Sequence, residues 1–137
     1  MGHQLVIVNA SSASDIDAAF AALAQRKTAA LFVNADPLYT VHAPHILALA
    51  ARHAMPTVCS TEGFAAAGGL MSYGTSITEA NRQLGLYTGR VLKGTKPADL
   101  PVIQSMKFDL VINLKTAQAL GITIPPVLLF QATEVIR

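Results

Sequence analysis

The sequence predicts an α/β lobe of three layers, with helices covering both faces of a parallel sheet. Two observations carry this. Short continuous apolar runs alternate with stretches of helical spacing, and 52% of residues are hydrophobic while only 13% are charged. Strands buried on both faces read as unbroken apolar runs, so this composition suits a covered parallel sheet or a sizeable subunit interface. A chain of 137 residues fits one domain with one core, because domains cluster at about 100–150 residues. Residues 1–137 are therefore read as a single α/β domain.

Each element follows in order. Leu5-Val6-Ile7-Val8 is a short apolar run ending at Asn9 and predicts a buried strand. A helix begins at about Ser14, where Ile16, Ala19, Phe20 and Leu23 fall at helical spacing and Ser12 or Ser14 can cap it. Ala29 to Val33 predicts a second strand, closed by the turn sequence Asn34-Ala35-Asp36-Pro37. Pro44 suits the first turn of a helix running to about His53, with Ile46, Leu47, Leu49 and Ala50 available to pack. Thr57-Val58-Cys59 predicts a third strand, which gives two right-handed crossover units.

The second half is organised differently. Ser60 to Gly69 reads as a loop and Leu70 to Tyr73 as a short strand. Ser76 and Glu79 form a capping-box pattern before a helix whose face carries Ile77, Ala80, Leu84, Tyr87 and Val91, and Gly94 ends it. Lys96 to Pro101 is an extended connector, and Phe108 to Asn113 reads as an edge or lobe-crossing strand. Asn113 can cap a short helix through Leu120, and Pro125-Pro126 starts a last helix carrying Val127, Leu128, Phe130 and Val135.

Several function classes are excluded. A net charge of +2 without clustered Lys and Arg gives no footprint for nucleic acid. Cys59 is the only cysteine, so neither an internal disulfide nor a cysteine zinc site can form. His42, His45 and His53 share one side of a helical wheel, but His45 and His53 are about 12 Å apart at 1.5 Å rise per residue, too far for one ion. No serine sits in a nucleophile elbow and no glycine belongs to a phosphate loop, so the chain is read as non-enzymatic with no cofactor or metal. Met1 to Gln4 lacks the basic start of a signal peptide, and no apolar run approaches the roughly 20 residues of a membrane span.

In open parallel sheets ligands bind beyond the carboxyl ends of the strands. That rule selects three loops. After the second strand, Asp36 can pair with a ligand ammonium and Asn34 can hydrogen-bond. In Ser60-Thr61-Glu62-Gly63-Phe64, the Ser60 and Thr61 hydroxyls suit a carboxylate and Phe64 can wall an apolar side chain. Before the capped helix, Ser72 and Tyr73 complete the candidate ligand-binding set.

The segment Gly68-Gly69-Leu70-Met71-Ser72-Tyr73-Gly74 is followed by Arg82, Gly85, Tyr87 and Arg90, and then by Leu92-Lys93-Gly94 through Leu100-Pro101-Val102. With Leu47 to His53, Met55-Pro56-Thr57-Val58 and Lys107 to Gly121, it resembles the solute-binding proteins of ATP-binding-cassette importers, in the branch of tryptophan and related amino-acid binders. The resemblance implies the second lobe of a type I periplasmic-binding-protein fold, without the first lobe and without the opening strand and helix of the second. It also implies a small-molecule solute, an amino acid with an apolar or aromatic side chain, an ABC permease as partner, a periplasmic or extracytoplasmic location and no catalysis. Uncovered lobe contacts favour a homodimer. The alternative is a relic lobe serving as an oligomeric interaction protein without solute capture.

Overall fold

Cys59, 1% exposed, sits at the centre of a core built by one face of a sheet and the two helices above it. The computed structural model describes residues 4–61, 63–104 and 107–137. Its sheet has five strands in the order β1 (Leu31–Val33), β2 (Thr57–Cys59), β3 (Met71–Thr75), β4 (Phe108–Asn113) and β5 (Glu134–Ile136). Strands β1, β2 and β3 run parallel, β4 is antiparallel to β3, and β5 is parallel to β4. The sheet is thus mostly parallel rather than wholly so. β4, expected as an edge or lobe-crossing strand, is interior because β5 pairs beyond it, and Val135 lies in β5 instead of the last helix.

Register sorts the side chains. Val33, Cys59, Ser72, Val111 and Glu134 are aligned partners across the five strands and share one face. Against it lie α1 (Ala13–Gln25), α3 (Ala43–Arg52) and the short α4 (Gly63–Ala66), contributing Ile16, Phe20, Ile46, Leu47, Ala50 and Phe64 to the first core. A second core forms on the other face, where Ile112 and Ala117 meet Leu110, Leu114, Ile122, Leu128 and Leu129 from β4, α6 (Leu114–Ala119) and α7 (Pro126–Gln131). Over β1 that face stays open, and Phe32 is 63% exposed.

Local chemistry explains the boundaries. Ser12 caps α1 by accepting from the Asp15 amide at 3.3 Å. Asp36 caps the short α2 (Pro37–Val41), which sequence spacing reads only as a turn. Asn113 caps α6 by accepting from the Thr116 amide, while its Nδ2 donates to the Ala65 carbonyl at 2.9 Å. This buried side chain ties the end of β4 to α4. Gly121, at φ 66°, closes the turn after α6 in the left-handed region that glycine adopts freely.

Two expectations fail for one reason, the lack of a packing partner. Residues 4–10 form no strand, and Leu5 and Ile7 are 82% and 76% exposed. Because α1 and α3 cover the same face, right-handed crossovers put this run beyond the outer edge of β1, where no ladder holds it. The capped helix α5 (Ile77–Leu92) does form, but none of its side chains is buried. Its Ser76 cap makes no side-chain bond to the helix amides, and the Glu79 carboxylate is taken up by a two-pronged pair with Arg82 and a bond from Gln83.

Candidate functional site at the strand ends

Because β1 and β2 are parallel and in register from Leu31↔Thr57 to Val33↔Cys59, the loops that leave them emerge side by side. Asn34 and Asp36 stand on the first, exposed. One Asp36 carboxylate oxygen accepts from the Leu38 amide at 2.8 Å, so part of its acceptor capacity is spent on capping α2. The adjacent loop carries Ser60 and Thr61, both half-buried. The Thr61 amide donates to Cys59 Sγ at 3.4 Å and its carbonyl accepts from Phe64 N, which folds the loop back over the strand. Glu62 of this loop lies outside the described residues.

Ser60 is the most informative of the set. Its Oγ is shielded from solvent and has no hydrogen-bond partner among the described residues, the state of a group whose partner comes from elsewhere. Beside it, Thr61, Gly63, Ala66, Ile77, Val111 and Glu134 line an open hollow of about 320 Å³. Apolar walls meet a hydroxyl and a carboxylate there, the composition expected of a small-molecule site. A comparable hollow of about 330 Å³ lies at the other end of the strands, between α3 and α6. Its Thr57 and Thr116 hydroxyls already donate to the Met55 and Gly68 carbonyls.

Three expected contacts are not brought to this place. Phe64 is 2% exposed and belongs to the first core, so it supports the loop from below and cannot wall a ligand. Ser72 is 1% exposed within the sheet, between Cys59 and Val111, rather than at a strand end. Tyr73 points to the opposite face, where its ring stacks on Phe108 with centroids 5.6 Å apart. The alternation of a strand forces this, since Ser72 and Tyr73 cannot both face one ligand.

Sequence reasoning missed Gly74. A Cβ there would lie within 2.0 Å of the Ser60 carbonyl oxygen, so only glycine lets the β2 exit loop rest against β3. The signal was present in principle, as an isolated glycine within a strand marks a close backbone approach. Ile77 lines the hollow, although its spacing in the sequence marks it only as part of the apolar stripe of α5.

The family described as ABC transporter substrate binding protein matches residues 1–136. A Streptococcus pneumoniae structure, described as an ABC domain in complex with L-Trp, is 31% identical with a TM-score of 0.83, covering 93% of this chain and 44% of its own. A conserved domain protein from Vibrio cholerae is 27% identical with a TM-score of 0.82, covering 92% and 42% respectively. The ligand-free, open structure of a substrate-binding protein with adhesive properties from Clostridium difficile shares the fold at 21% identity and a TM-score of 0.66, over 93% and 42%. The chain therefore spans well under half the length of these structures. No curated protein matches it. Among the described residues no cluster of His, Cys, Asp or Glu is gathered to hold a metal ion, and no helix is long and apolar enough to cross a membrane. With a match along nearly its whole length and a polar edge where parallel strands end, the chain belongs to the ABC transporter substrate-binding protein family, whose members bind solutes outside the cytoplasm and are not catalysts.

Proposed function

We propose that this lobe grips an amino acid at the carboxyl ends of β1 and β2 and presents it to an ABC permease in the periplasm or its extracytoplasmic equivalent. The observation that carries the reading is the buried Ser60 hydroxyl, which has no hydrogen-bond partner among the described residues and stands next to Thr61, a residue that lines an apolar hollow. In this reading Asp36 pairs with the solute ammonium, assisted by Asn34. Ser60 and Thr61 donate to its carboxylate, and the Ile77 side of the hollow receives an apolar or aromatic side chain. The L-Trp complex of the pneumococcal relative supports the amino-acid class.

A thermal-shift panel of the common amino acids tests it. A branched or aromatic amino acid at a hundredfold excess over its dissociation constant stabilises the chain by about 2.7 kcal/mol, and Asp36→Asn removes the shift. Absence of any shift across the panel would rule out amino-acid binding by this lobe alone.

A second reading is favoured by the uncovered apolar side chains of α5. In it the chain is a relic lobe that buries this surface in a homodimer and captures no solute. Light scattering that finds a stable dimer, together with a silent amino-acid panel, would select it.

A further inference from the structure

Two side-chain oxygens among the described residues are shielded from solvent and lack a hydrogen-bond partner: Ser60 Oγ on the β2 exit loop, and Asp109 Oδ1 on β4. Gly74 joins them. Asp109 is its register partner, and the Ser60 carbonyl occupies the space of the side chain that Gly74 lacks. Side chains two apart on a strand share a face, so Asp109 stands about 7 Å from Val111, a lining residue of the hollow, on the same side of β4. The Ser76 amide donates to the Lys107 carbonyl at 3.0 Å, which fastens the start of α5, with the lining residue Ile77, against this end of β4. The Asp109 side chain is only 11% exposed. The Lys107 ammonium lies 3.9 Å from Oδ1, too far for a hydrogen bond.

We propose that Asp109 reads the tip of the solute's side chain and selects one that ends in a neutral N–H or O–H donor. The inference rests on the amino-acid reading above and names the solute class within it. A buried acceptor without a donor is costly, and a ligand that supplies the donor removes that penalty. With the solute carboxylate held at Ser60 and Thr61, its side chain runs along the hollow past Ile77 and Val111 and arrives at Asp109. The surroundings then sort the possible tips. A purely apolar side chain leaves Oδ1 unpaired. An acidic one meets two carboxyl groups, Asp109 and the Glu134 that lines the hollow. A cationic one is repelled by Lys107, whose charge already stands beside Asp109. A neutral donor on an aromatic ring fills the apolar walls and satisfies the oxygen at its end.

Titration calorimetry of the full chain with two matched pairs tests this. The pairs are tryptophan against its benzothiophene isostere, in which sulfur replaces the indole N–H, and tyrosine against phenylalanine. The donor-bearing member of at least one pair is expected to bind at least about tenfold tighter than its isostere, as befits a hydrogen bond to a buried carboxyl oxygen. Asp109→Leu should bring that pair within about threefold by weakening the donor-bearing member alone. A residue that only supported the fold would weaken both members together. Asp109→Ala serves as a second variant should the leucine variant misfold by circular dichroism. Asp36→Asn should weaken both members alike, because it acts on the ammonium they share. Equal affinity within both pairs, an unchanged preference in Asp109→Leu, or tighter binding of lysine or arginine than of either aromatic donor would overturn the proposal and leave the amino-acid reading standing. Absence of binding by every one of these amino acids would overturn both.

Discussion

At Gly74 the absence of a side chain decides where the candidate site lies. Gly74→Ala would force the Ser60 carbonyl away from a Cβ that would otherwise sit at 2.0 Å. The expected cost is about 1–3 kcal/mol of overpacking, with loss of the amino-acid thermal shift. Gly85→Ala, which meets open space within a helix, should stabilise by up to about 1 kcal/mol and leave any shift intact. Urea denaturation of the two variants checks the contrast. Asn113→Ala removes both the α6 cap and the bond to Ala65, so it should lower stability by about 2 kcal/mol with an unchanged m-value. Asn113 was legible as a cap because a polar residue between an apolar strand and a helical pattern has few other uses. Its second bond, across 48 positions of sequence, was not, since local spacing carries no information about what a fold brings near. The same limit explains Phe64, Ser72 and Tyr73: loop and strand were read correctly in outline, but which face each side chain takes depends on register.

Among the elements, α1, α3, β2 and α6 follow their sequence signals closely because caps and apolar spacing agree with the packing. Helix α5 shows the opposite case, a strong amphipathic pattern of which no side chain is buried among the described residues. Its charges then matter more. The Arg82 guanidinium, with help from Gln83, holds Glu79 well below the ordinary carboxyl value of 4.5, down to about 2. A depressed carboxyl contributes stability above its unfolded value and loses it as pH falls through its folded one. The pair should therefore support the first turns of α5 at pH 7 and release them between about pH 4.5 and 2. Since both groups are exposed, the effect is on local helix order. NMR titration should find Glu79 protonating near pH 2 in the native chain and closer to 4.5 in Arg82→Ala. The short elements α2, α4 and β5 were missed because three to five residues carry too little periodicity to distinguish them from turns.

Across the whole molecule, protection against solvent should be uneven. Two cores back the sheet from opposite sides, while residues 4–9, the open face of β1 at Phe32 and helix α5 lie outside both. Amide hydrogen exchange should be slowest in β2, β3 and β4 and fastest in residues 4–9 and α5, with sub-global opening of α5 preceding unfolding of the sheet. Equal protection of α5 and β4 in the dilute chain would contradict this order. The α/β class was readable because it follows from composition and the alternation of periods. The antiparallel β4 and the uncovered surfaces were not, because they depend on contacts between distant segments. The meeting of Ser60 and Gly74 has a further result. The Ser60 carbonyl rests on the bare Cα of Gly74 and the Thr61 amide on Cys59 Sγ, so neither anchor uses the side chain of residue 60 or 61. Single substitutions at positions 60 and 61 would then leave the path of the loop over the sheet in place.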